Sequence, residues 1–385
     1  MLENWQTFED ELVKIRHQIH QNPELSNQEF ETTKLIKNQL DKWHIKIVDT
    51  VLKTGVIAEI GDGSNGATIA LRADIDALPI IEKTGLAYSS KNIGVMHACG
   101  HDFHLTSLLG AARLLKANEG QLNGLVRLIF QPAEENYRGA LKVIKAGHLK
   151  DVKAIIGDHN HPQLLPGEIG LITGGIMAAV DQFMVKIIGV GTHAANPHLG
   201  KDVIVAMSQM INQLQAIVAR NVSPADAVVI SVTRIEAGNT WNVLPDTAVF
   251  EGTIRSFSNQ NRQYVKDRFS TIVKQTAEIY DVSTSIRWIE GPGVTNNDIE
   301  LTNVIVANSK KFAKVFKAAP SNGGEDFADY QAILPGVFAF IGSNGKPNAS
   351  GWHHSDFTVR DEGLKTAVLY YVENSYRLLE YFDEK

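Results

Sequence analysis

Short β-branched runs that end in acidic residues and histidine, alternating with helical periods, constrain this chain more than any other feature. "ATIALRADIDALP" reads as a strand running into Asp74 and Asp76, "GLVRLIFQPAEE" as one running into Glu134 and Glu135, and "DVKAIIGDHNHP" as one running into Asp158, His159 and His161. Such runs, separated by helical stretches, are the signature of an α/β sheet. Open sheets of this kind place their sites beyond the carboxyl ends of the strands. Functional groups are therefore expected there.

Residues 3 to 43 read as helical with a break at Asn22-Pro23. From about Val180 the rhythm changes to strand, helix, strand, strand, helix, strand: "QFMVKIIGVG", "DVIVAMSQMINQLQAIVARN", "AVVISVTRIEAG", "TAVFEGTIRSF", "QYVKDRFSTIVKQTAEIYD" and "STSIRWIEG". That order is ferredoxin-like, and Gly291-Pro292-Gly293 closes it off. Residues 294 to 385 resume the earlier alternation, with "GVFAFIG" a buried strand and residues 361 to 382 a final helix capped by Thr358 and Asp361. The expected fold class is α/β: a central mixed sheet with helices on both faces over residues 1–180 and 294–385, and an inserted ferredoxin-like α+β domain over 181–293.

A chain of 385 residues that is 44% hydrophobic can bury a large core, and its size favours two domains. The net charge of -6 offers no broad positive field, so nucleic acid and anionic membrane are not expected partners. The first twenty residues contain no apolar leader and no stretch nears membrane-spanning length, which makes the cytoplasm the expected location. The single cysteine cannot form an internal disulfide. Cys99 is a core thiol, a nucleophile or a metal ligand.

Its neighbours narrow the choice. "VMHACGHDFHLTSLLGAARLL", residues 95 to 115, gathers His97, Cys99, His101, Asp102 and His104, then continues with Leu105, Leu108, Leu109, Ala112 and Leu115 on one helical face. Cys99 and His101 are thus expected just before a helix N-terminus, where the positive end of the dipole favours a thiolate. Cys-x-His alone does not make a metal site. Glu134 and Glu135, His159, and the His353-His354 pair offer further donors, and a mixed sulfur, nitrogen and oxygen set is typical of a catalytic rather than a closed structural site. Singly, adjacent glutamates decorate solvated helix starts and a His-His pair is a common surface feature. Their shared place beyond strand ends favours function. Two adjacent carboxylates also divide labour: one binds metal while the other takes a proton from water whose pKa a metal lowers from 15.7 to roughly 7.

Together these pieces resemble the amidohydrolase branch of the aminoacylase and carboxypeptidase-like metallopeptidase superfamily, which includes hippurate hydrolases, auxin-conjugate hydrolases and N-acetyldiaminopimelate deacetylases. The matching stretches run nearly end to end: "RHQIHQNPELSNQE", "LRADIDALP", "MHACGHDFH", "FQPAEE", "GDHNHP", "GVGTHAANPH", "NTWNVLPD", "EGTIRSF", "GGEDFA" and "HHSDF". The resemblance implies two divalent metal ions per subunit, zinc or manganese before cobalt or nickel. Cys99, His101, Glu135, His159 and His353 would be the ligands, with Cys99 the bridge, and Glu134 the general base. His353 is preferred to His354 because it lies four residues before Phe357, as the family's ligand histidine lies before an aromatic. Asp76, and more weakly Asp74, would orient a ligand, the plainer reading of both being turn formation.

In the inserted domain, the resemblance implies a lid and dimerisation role, with His193 holding the oxyanion in the neighbouring subunit's site. Asn242 and Arg255 would bind the substrate's carboxylate. A loop cap by His193 and a surface ion pair by Arg255 are the plainer readings. The implied activity is metal-dependent hydrolysis of N-acyl amino acids or small peptide-like amides beside a free carboxylate, by a homodimer whose inserted domain closes over the main one. A metal-independent Cys99 hydrolase and a binding protein without turnover are the alternatives. Two positions depart from the family pattern: Asp158 stands where an apolar residue is expected, adding negative charge near the metals, and Ser355 stands where proline is frequent.

Overall fold

The computed structural model describes residues 5–64 and 66–385, so residues 3 and 4 of the expected first helix lie outside the described residues. The chain divides into two compact units. One comprises the chain up to Ile176 with Asn296–Ala319 and Asp326–Lys385, and the other comprises Met177–Thr295 with Pro320–Glu325. No helix among the described residues is long and apolar enough to cross a membrane.

The larger unit is built on an eight-stranded mixed sheet. Its order runs Lys46–Val48, Val56–Gly61, Gly124–Gln131, Ala67–Asp74, Val152–His161, Gly336–Gly342, Glu168–Leu171, Lys314–Lys317. The central strands are parallel, pairing Leu71 with Leu128 and with Ile156, and Phe340 with His159. Parallel strands covered on both faces read as continuous apolar runs, which is why "GLVRLIF" and "GVFAFIG" are buried throughout. One face packs on the helices Trp5–Gln21, His101–Ala117, Ile299–Ser309 and Leu364–Asp383 through a single core that includes Leu12, Leu71, Leu108, Ile156 and Val368. The other face carries the short helices Gly139–Lys145 and Phe327–Gln331.

The parallel registers align the carboxyl ends of Ala67–Asp74, Gly124–Gln131 and Val152–His161 on one edge. The last helix begins at Leu364 after a 3₁₀ turn, Asp361–Gly363, and has no side-chain cap. The capping box expected from Thr358 and Asp361 does not form: the Asp361 carboxylate binds Arg16 and His17, and the Thr358 hydroxyl accepts from Asn344. A buried arginine outcompetes a backbone N–H for a carboxylate.

The smaller unit is a four-stranded antiparallel sheet in the order Val228–Ala237, Thr247–Ser256, Ala179–Ile188, Ser283–Glu290. With the helices Val203–Ala216 and Asn259–Ile279 it has ferredoxin-like topology. Its core is separate from that of the larger unit, built on Phe183, Val185, Met210, Phe250, Phe269 and their neighbours. The strand placed at 182–191 from sequence starts at Ala179, so the sheet begins two residues before the expected boundary at 181. The 320–325 stretch also joins this unit, where Ala178 N–H donates to the carbonyls of Ser321 and Gly323.

Candidate metal centre

The site lies where the strand ends and one helix N-terminus meet. The helix starts at His101 itself, which was expected to lie just before it, because Gly100 takes a left-handed backbone, φ 85°, that turns the chain into it. A Cβ at Gly100 would lie 2.4 Å from Asn160 Nδ2, which donates to the Cys99 carbonyl. Only glycine fits there. This turn brings Cys99 Sγ to 3.4 Å from His159 Nε2 at the end of Val152–His161. The ligand atoms of Cys99, His101 and His159 all lie within 4.8 Å of one another, as do those of Cys99, Glu135 and His353, and those of His101, Glu134 and Glu135. Cys99 is shared by the first two groups.

The spacing suits a metal. Across a tetrahedral ion with bonds of about 2.0–2.3 Å, ligand atoms sit roughly 3.3–3.8 Å apart. Cys99 to His159 is 3.4 Å, His353 Nε2 to Glu135 Oε1 is 3.5 Å and His101 Nε2 to Glu135 Oε1 is 3.8 Å. His101 Nε2 and Glu135 Oε1 are buried without a hydrogen-bond partner, a state that costs free energy unless a cation or other partner occupies the space.

Electrostatics agree. Burial alone would depress His101, but Asp74, Asp76 and Glu135 outweigh it and hold its imidazole up to about 10. The pocket therefore calls for positive charge. Burial, reinforced by the neighbouring His104, drives His159 well below the usual histidine range, so it is neutral and free to ligate. Its Nδ1 faces the Asn160 carbonyl at 2.8 Å, which aims Nε2 at Cys99. Trp352 packs edge-on against the same ring and donates to that carbonyl.

His353 reaches the group through an unusual backbone. Its φ is 63° and its N–H donates to the Ala98 carbonyl at 2.8 Å, which ties it beside Cys99. His354 belongs to none of the three groups. A left-handed backbone is uncommon for a non-glycine residue.

Around these residues, Asp76 places Oδ1 3.3 Å from His101 Nδ1 and accepts the backbone N–H groups of Glu134 and Glu135. Asp74 receives Arg72 Nη1 at 2.9 Å and His104 Nδ1 at 2.7 Å, and its Oδ2 lies 3.7 Å from His101 Nε2. His104 then links to Asn160. Sequence reasoning assigned His104 no work, although it lies one helical turn from His101, a spacing that puts both on one face. Asp158 does not face the metal ligands. Successive strand residues point to opposite faces, so with His159 on one face Asp158 lies on the other, fully buried, accepting from the Tyr371 hydroxyl at 2.6 Å.

In the smaller unit, His193 and Asn242 come together: Thr192–His193 pairs with Val243–Leu244, Ala194 N–H donates to the Asn242 carbonyl, and the exposed His193 accepts at Nδ1 from Ala195 N–H. Arg255 is not beside Asn242. It stands opposite Val180 at the far end of Thr247–Ser256, about 26 Å along the strand from Thr247, because the loop carrying Asn242 leads into the strand's other end. A single copy of the chain does not join them as one carboxylate clamp.

The model of peptidase family M20/M25/M40 matches residues 70–374. N-acetyl-L-cysteine deacetylase of Bacillus subtilis (strain 168) is 49% identical over 382 residues, covering 99% of this chain and 91% of the relative. IAA-amino acid hydrolase ILR1-like 4 of Arabidopsis thaliana is 38% identical, covering 93% of this chain and 83% of its own. Among solved structures, the YxeP protein of Bacillus subtilis, described as a dinuclear metal binding peptidase of the M20 family, superposes with a TM-score of 0.88 at 42% identity, covering 97% of this chain and 99% of that one.

Proposed function

The chain belongs to peptidase family M20/M25/M40, and from that premise we propose that it is the metal-dependent hydrolase of an N-acyl amino acid, cleaving the amide beside a free carboxylate. The observation that carries this reading is the sharing of Cys99 between two groups of ligand atoms with Glu134 beside them. The similar N-acetyl-L-cysteine deacetylase and IAA-amino acid hydrolase act on substrates of this class by name. Cys99, His101, Glu135, His159 and His353 would hold two divalent ions. A thiolate with imidazoles suits zinc, followed by manganese, with cobalt and nickel as substitutes. When bound, such ions polarise the amide carbonyl and acidify water.

The remaining work falls to the chain. Glu134, 5% exposed and presented with Glu135 on one turn, takes the proton of the attacking water and delivers it to the departing nitrogen. Asp76 fixes the His101 ring through Nδ1, leaving Nε2 to ligate. His193 donates to the developing oxyanion, Asn242 and Arg255 bind the substrate carboxylate, and residues 181–293 act as lid and dimerisation domain. The separation of Arg255 from the His193–Asn242 pair supports a homodimer in which that pair serves the neighbouring subunit. A ligand thiol must stay reduced, which fits the cytoplasm.

Hydrolysis of a panel of N-acetyl and N-benzoyl amino acids, before and after metal removal and readdition of zinc or manganese, tests the proposal. Turnover should vanish on stripping and return with metal. Turnover that survives chelation but is lost to thiol alkylation would replace it with Cys99 nucleophilic catalysis.

A further inference from the structure

The turn that carries Glu134 and Glu135 is held by a carboxylate that the reaction scheme above does not use. Ala133 has φ 59° and Tyr137 φ 55°, left-handed conformations rare outside glycine. Three successive backbone N–H groups there point at carboxylates: Ala133 donates to Glu29 Oε1 at 2.8 Å, Glu134 to Asp76 Oδ1 at 3.0 Å and Glu135 to Asp76 Oδ2 at 3.1 Å. Consecutive N–H groups beside a left-handed residue form an anion-binding concavity, filled here by the chain's own acids.

Glu29 is fully buried and sits at the N-cap position of Phe30–Lys42, yet its side chain makes no cap bond. Glu24 accepts from the helix's second and third N–H groups, Glu31 and Thr32, instead. The carboxylate best placed to cap its own helix thus turns away to a residue 104 positions distant. The same loop supplies Ser26, which donates to Asp76 at 2.5 Å, and Ala77 N–H fastens it by donating to the Glu24 carbonyl at 2.8 Å.

We propose that Glu29 is a positioning residue: by binding Ala133 N–H it holds the left-handed turn that aims Glu134 as base and Glu135 as ligand. The inference rests on the functional reading for Glu134, while its consequence for Glu135 is read by metal binding alone. Glu29→Ala frees the turn and so weakens binding of the ion that Glu135 holds. Glu29→Gln keeps an acceptor oxygen and should behave as the parent. Ala133→Gly, which adopts the left-handed backbone without support, should recover part of what Glu29→Ala loses.

The test is titration of each metal-stripped, folded variant with Co²⁺, following its absorption spectrum, together with kcat and KM on the substrate the parent prefers and a thermal melt. For Glu29→Ala, Co²⁺ affinity is expected to fall about 10-fold or more, with kcat lowered about 10- to 100-fold and KM nearly unchanged. Recovery by Glu29→Gln, and partly by the Ala133→Gly pair, completes the expected pattern. Parent-like Co²⁺ binding in folded Glu29→Ala, or equal defects in Glu29→Gln and Glu29→Ala, overturns the proposal. If the parent hydrolyses no N-acyl amino acid, the functional reading fails, and the Co²⁺ titration still decides the role of Glu29.

Discussion

At the scale of single residues, Glu134 and Glu135 are adjacent in sequence but face different tasks, and substitution should separate them. Glu134→Gln keeps every ligand, so metal content should stay at the parent value while kcat falls about 100- to 10,000-fold. Metal analysis beside turnover checks this, and loss of metal in Glu134→Gln would make Glu134 a ligand. His353 and His354 form a second such pair. Because only His353 is tied to Ala98 and lies within ligand distance of Glu135, His353→Ala should lower metal affinity at least tenfold, and His354→Ala should leave it within twofold. The adjacency in each pair was legible in sequence. The choice between partners came from the family resemblance and not from the residue types, because it depends on which backbone conformation a turn adopts.

At the scale of elements, the helices Trp5–Gln21 and His101–Ala117 are pinned by a buried network beneath the site. Arg16 Nε lies 3.1 Å from Asp102, and His20 lies 3.0 Å from Asp102 and 3.3 Å from Glu82. Burial alone would lower His20, but Asp102 first and Glu82 next reverse this and hold it up to about 9. A group raised above its unfolded value stabilises fully below the unfolded pKa, and loses that contribution as pH rises through the folded one. His20 should therefore contribute about 3 kcal/mol below pH 6.5, fading toward pH 9. Denaturant titrations of the parent and His20→Gln should differ most at pH 6 and converge above pH 9. A pH-independent difference would show that packing, not the ion pair, carries the effect. The Gly100 turn is more brittle: Gly100→Ala combines a left-handed backbone with a clash against Asn160, and it should cost about 2 kcal/mol or more and disturb Cys99.

At the scale of the whole molecule, the placement of His193 and Asn242 at a separate two-stranded pairing and of Arg255 at the far end of Thr247–Ser256 leads to a complementation experiment. If His193 serves the neighbouring subunit, His193→Ala and Glu134→Gln chains, each inactive alone, should recover about one quarter of parent activity when exchanged in equal amounts, since half of the dimers are hybrids with one complete site of two. No recovery in demonstrated hybrids would place His193 at its own chain's site.

What the sequence by itself determined is local chemistry. Strand and helix order followed from period-two and period-3.6 patterning, and the α/β sheet and ferredoxin-like arrangement followed from that order. Cysteine and histidine at a helix N-terminus, with glutamate and histidine at strand ends, pointed to the donor types because a mixed sulfur, nitrogen and oxygen set suits a metal. Tertiary structure alone decided where side chains separated by a hundred residues point. It turned Asp158 away to Tyr371, drew Asp361 from its expected cap to Arg16, set Glu29 under Ala133 and parted Arg255 from Asn242. Each outcome depends on register, left-handed turns and competition for hydrogen bonds between distant segments. Those quantities exist only once the chain has packed, whereas residue type and periodicity are present before it folds.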